Sequence, residues 1–151
     1  NESLKGIIYK AFFDFAVIYN FSRQDYKPSP SVDTVLLSIT HKENPSIENA
    51  ELYKDFVSYL YTSWKPNVKE ALSFLFTKVQ YKRISKENNI DLNGKITSLG
   101  IVKILAIYEI FLHLLRDKHH IVKGTYHDLA EQQAKLDKIH RSRTDRNWQN
   151  K

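Results

Sequence analysis

The run from Ile101 to Leu115 is the most hydrophobic in the chain, and it narrows the choice of fold more than any other feature. Leu99, Val102, Leu105, Ala106, Tyr108, Ile110, Leu112 and Leu115 recur at helical spacing over residues 97–117 and fall on nearly all sides of the helix. A helix that is apolar all round belongs inside a bundle. Lys103, Glu109 and His113 interrupt the run, and spanning a bilayer takes about 20 clean apolar residues. A buried core helix is therefore expected, and no membrane span.

The rest of the chain supports this reading. Only 4 Gly and 4 Pro occur among 151 residues, few for the many turns of a sandwich or barrel. At 42% hydrophobic residues there is enough apolar material for one packed core. Helical spacing predicts a first helix over 4–21, with Ser3 as cap and Leu4, Ile7, Ile8, Ala11, Phe12, Phe15, Ile18 and Tyr19 on its apolar face. A polar loop with Pro28 and Pro30 follows over 22–33. Residues 34–41 contain Val35, Ile39 and two Thr and would suit a strand. With no evident partner strand, a short helix is the expectation. Further helices are expected over 47–64, 66–88 and 126–146. The predicted class is all-α: a single bundle-like domain of five or six helices around the helix at about 97–117. Residues 1–140 form the helical domain, and 141–151 are a basic extension of its last helix.

Several chemistries are excluded or lack support. The chain has no Cys, which removes disulfides, thiol catalysis and Cys-ligated metals. The stretch 7–21 contains Lys10 and Asp14 and is followed by no small-residue cleavage site, so no signal peptide is expected. The four Gly stand at 6, 94, 100 and 124 and make no phosphate loop. Five of the six His lie between His113 and His140, but without the paired spacing of a dedicated metal site. No metal, cofactor or catalytic residue is assigned, and the balance leans against an enzyme.

The formal net charge of +6 favours an anionic partner, either a nucleic acid or an acidic protein surface. Two basic segments stand out. Lys78, Lys82 and Lys86 repeat every four residues and line one helix face that can follow a phosphate backbone. From Lys135 onward six cations face two carboxylates, and Lys138, Arg141, Arg143 and Arg146 are the densest candidates. Arg bridges phosphate bidentately, which suits this role. Residues 124–146 could be divided into a helix-turn-helix, although Gln133-Ala134-Lys135-Leu136 would continue a helix without a break.

The resulting expectation is a non-enzymatic binding module that contacts nucleic acid through its basic C-terminal helix. The alternative is a protein–protein adaptor or effector using an aromatic surface of Tyr59, Tyr61, Trp64 and Trp148. A third reading is a small helical RNase working through Arg116 and His120, although only three residues separate the pair where helical RNases of this type place four to six. Oligomeric state stays open, and a cytoplasmic location is favoured.

Overall fold

The structure is a computed structural model that describes residues 2–43, 45 and 47–135. The chain opens with α1 (Leu4–Phe12), and the Ser3 hydroxyl accepts from the Gly6 amide at 3.0 Å. Strand β1 (Phe13–Phe21) follows without a break, and β2 (Thr34–His41) pairs with it antiparallel from Phe13↔His41 to Phe21↔Thr34. Between them run residues 22–33, with one 3-10 turn at Arg23–Asp25. Then come α2 (Ala50–Thr62), α3 (Val68–Ser73), α4 (Lys78–Glu87), α5 (Ile101–Leu114), α6 (His119–Val122) and α7 (Thr125–Lys135).

The all-α expectation is therefore wrong. The predicted helix 4–21 breaks at Phe12, and its second half is a strand. Phe13-Asp14-Phe15-Ala16-Val17-Ile18-Tyr19-Asn20-Phe21 is dense in aromatic and β-branched residues, which favour a pleated backbone. Its apolar positions satisfy periods of both two and 3.6, and pairing with residues 34–41 decides between them. Those residues form a strand rather than a short helix because the partner is present after all. A bulge sits in β1, where Val17 faces Leu37 and Tyr19 faces Leu36, so Ile18 is the extra residue.

The expected helix 66–88 is two helices. Asn67 caps α3, accepting from the Glu70 amide at 2.9 Å. Thr77 restarts the chain with a full capping box: its hydroxyl accepts from the Gln80 amide, and its own amide donates to the Gln80 side chain. Helix α2 begins at Ala50 under an Asn49 cap. The expected helix 97–117 is shorter. It is preceded by a 3-10 turn at Ile96–Ser98, starts after Gly100, and ends at Leu114.

The core is organised around α2, not the helix at 97–117. Helix α2 packs against α1, α5, α6 and α7. Tyr53, Phe56, Val57 and Leu60 of α2 meet Ile104, Ile107, Tyr108 and Phe111 of α5, with Ile7, Ile8 and Ala11 of α1 and Leu72, Leu75 and Phe76 closing the cluster. The Phe56 and Phe111 rings stack at 4.9 Å, and Tyr53 meets Tyr108 edge-on at 5.1 Å. Three hydroxyls fasten this core to the backbone: Tyr53 to the Ile7 carbonyl at 3.2 Å, Tyr61 to Glu2 at 3.3 Å, and Tyr108 to Asn49 at 2.8 Å. Helix α7 is held by one carboxylate. Asp55 of α2 accepts from the Gly124 and Tyr126 amides at 2.9 and 3.0 Å, capping the start of α7 from a neighbouring helix. Gly124 has φ +87°, a conformation that glycine adopts without strain. The expected boundary between residues 140 and 141 lies outside the described residues.

Candidate functional site

Helix α4 carries the first candidate surface. Tyr81 and Ile84 are buried and anchor one side, which turns Lys78, Lys82 and Lys86 outward, all exposed. The predicted row of cations is thus real geometry. Arg83 beside it is engaged by Glu87 at 2.7 Å, leaving the three lysines as the unpaired positive face among the described residues of this helix. Lys118 and Lys103 have other duties, donating to the carbonyls of Leu75 and Asn89, both at 2.6 Å.

The aromatic candidates separate. Tyr59 and Tyr61 are half-buried against the core, and burial raises both phenol pKa values, that of Tyr61 to about 12. Trp64 is the opposite: its side chain is 96% exposed, and its backbone sits at φ 53°. Next to it, the Lys65 Nζ lies 4.2 Å from the centroid of the Phe74 ring, which is itself exposed. Trp148, Lys138, Arg141, Arg143 and Arg146 lie outside the described residues, as does the second half of any helix-turn-helix. No turn interrupts α7 through Lys135.

The described histidines do not converge, and His140 lies outside the described residues. His113 approaches Glu48 at 3.6 Å, His127 sits near Asp128 and Glu131, and the His119 ring packs against Phe111. Among the described residues no group of three or more His, Asp or Glu could hold a metal. Arg116 and His120 are not on one helix, since α5 ends at Leu114 and a 3-10 turn intervenes. His120 Nδ1 instead meets the Asp117 carbonyl at 2.7 Å.

Sequence reasoning saw that residues 34–41 would suit a strand but missed their partner, and so the hairpin. Its two strands are exposed on both faces, with Val17 at 55%, Ile18 at 62% and Ile39 at 58% exposure. At its root, Ile8, Tyr9, Phe12, Phe13, His41 and Tyr126 line an open apolar groove. A ribbon of this kind is marginal by itself. The signal that could have revealed it was the β-branched and aromatic density of both segments, read as a pair.

Comparison with known proteins identifies the family. The model for ribosomal RNA adenine dimethylase matches residues 2–113, from before α1 almost to the end of α5. The chain belongs to the ribosomal RNA adenine dimethylase family. An rRNA adenine N-6-methyltransferase of Bacteroides fragilis is 30% identical over 115 residues, covering 76% of this chain and 43% of that protein. The ribosomal RNA small subunit methyltransferase A of a Sulfurihydrogenibium species is 25% identical over 67 residues, 44% of this chain and 26% of that protein. Among solved structures, the 23S rRNA methyltransferase ErmE superposes with a TM-score of 0.63 at 16% identity, over 71% of this chain and 45% of that one. The chain thus spans less than half the length of these relatives.

Membership corrects two further expectations. The family is one of enzymes with a Rossmann-like α/β fold, so the lean against an enzyme and the class of non-enzymatic module, adaptor or RNase are overturned. No helix among the described residues is long and apolar enough to cross a membrane. A methyltransferase also needs a place for its methyl donor. Open α/β sheets bind ligands beyond the carboxyl ends of parallel strands. The described strands form one antiparallel pair, and none of the four glycines turns a strand into a helix. The described residues do not fit a donor site, and no step of methyl transfer is derived from them.

Proposed function

We propose that this chain serves as the RNA-holding part of a ribosomal RNA adenine methyltransferase. The observation that carries the proposal is the exposed Lys78–Lys82–Lys86 row, set on a capped and core-anchored helix inside the region matched by the family model. Three ammonium groups spaced along one helix face can neutralise successive phosphates without reading sequence. The candidates Lys138, in the expected last helix, and Arg141, Arg143 and Arg146, in the basic extension, would add phosphate contacts to the same substrate. The hairpin has a different task in this reading. Its two apolar faces suit burial against the α/β part that such enzymes possess, which fits a match to under half of the relatives' length.

Fluorescence anisotropy with a labelled ribosomal RNA fragment at several salt concentrations tests this. Binding should weaken linearly in log affinity against log salt. Replacing Lys78, Lys82 and Lys86 together by Ala should reduce the magnitude of that slope by about 2, since each phosphate neutralised on single-stranded RNA adds about 0.7. An unchanged slope would remove α4 from the interface, and absence of binding at low salt would remove the whole reading.

A further inference from the structure

Trp64 stands in the two-residue link, Trp64 and Lys65, between Ser63, which caps the end of α2, and Pro66. It has the most exposed large apolar side chain among the described residues. Its φ of 53° puts a bulky residue in the left-handed region, which disfavours L residues other than Gly. At 96% exposure the indole gains almost no packing that would repay the strain. Hydrogen bonds fix both flanks of the link. The Ser63 amide donates to the Tyr59 carbonyl at 3.0 Å, the Ser63 hydroxyl to the Leu60 carbonyl at 3.2 Å, and Asn67 caps the next helix. A strained and exposed indole between two fixed flanks is the pattern of a functional position.

Trp64 borders two clefts. One, of about 280 Å³, is lined also by Tyr61, Lys65, Pro66, Lys95, Ile96 and Thr97, with two cations and no carboxylate. The other is polar and contains Asp128. Lys65, whose ammonium lies over the Phe74 ring, also lines the first cleft. We infer that Trp64 is a stacking platform for an unpaired base of an RNA strand, whose phosphates lie toward Lys65 and Lys95. This rests on the RNA-holding reading above and adds to it a second site that selects single-stranded over paired RNA. Every base offers a π-face, so the platform needs no sequence.

The test uses the full chain with Trp148→Phe, which leaves Trp64 as the sole tryptophan reporter. Titration with a single-stranded RNA oligonucleotide should quench its fluorescence, and a fully paired RNA of equal length should not. The decisive variant is Trp64→Gly, because glycine accepts this backbone angle and so preserves the fold. It should melt no lower than its parent, yet bind the single strand about 5- to 150-fold more weakly, the range expected for one stacked base. Its salt slope should stay as in the parent. Equal loss on paired and single-stranded RNA, or no loss on either, would overturn the platform. If the α4 lysine variants still weaken binding in that case, the RNA-holding reading survives. If no RNA binds the parent chain, both fall together.

Discussion

Three tyrosines show how single residues set the response of the fold to alkali. Tyr53 and Tyr108 bury their rings, Tyr61 half buries its own, and each points a hydroxyl at a backbone carbonyl. Burial is the main cause raising all three pKa values from the ordinary 10, to about 12 for Tyr61 and Tyr108 and further for Tyr53, with neighbouring phenols and carboxylates adding to the rise. The folded protein therefore holds these protons more tightly than the unfolded chain does. Their contribution is complete below pH about 10 and is lost as pH rises through about 12. Urea midpoints measured from pH 8 to 12 should stay level up to about 10 and then fall. Tyr108→Phe should flatten part of the fall while costing about 1 kcal/mol at neutral pH. These roles were only partly legible. The apolar spacing of Tyr108 marks it as core, but nothing local indicates which carbonyl, 46 residues from Tyr53 or 59 from Tyr108, would receive each hydroxyl.

At the scale of elements, caps decide where helices begin. Ser3, followed at the right distance by the amide it binds, could be read. Thr77 was missed, because the apolar spacing runs on through 66–88 and hides the restart of the helix. The cap on α7 could not be read, because Asp55 lies 69 and 71 residues from the amides it accepts. An Asp in the middle of a helix looks like solvent-facing charge until the fold brings another helix end against it. Asp55→Ala should destabilise the chain by about 1–3 kcal/mol, since two amides lose a charged acceptor. Hydrogen exchange should show the loss concentrated in α7. A uniform loss across all helices, or none, would mean the carboxylate does not hold α7. The hairpin stayed hidden for the same reason of distance. Residues 34–41 suited a strand but showed no partner, and β1 was masked by an apolar pattern that also suits the helix it continues. The lysine row on α4, by contrast, is a property of one helix, and its spacing already placed it on one face.

For the whole molecule, the division of labour runs between a helical body with a closed core and a ribbon that adds almost nothing to that core. The body places the α4 lysines on the outside of a core-anchored helix and Trp64 in the link between α2 and α3, where losing these side chains leaves the packing intact. The ribbon carries its apolar residues outward, and the outer edge of each strand offers backbone donors and acceptors with no third strand among the described residues to take them. Colloidal behaviour follows directly from this. A purified sample should self-associate edge to edge as concentration rises, with light scattering growing over days. The double change Val17→Lys and Ile18→Lys should keep it monodisperse by placing like charges where two ribbons would meet. Whatever this chain does in solution at high concentration will be governed first by the stickiness of those nine-residue and eight-residue strands, well before its lysines or its tryptophan come into play.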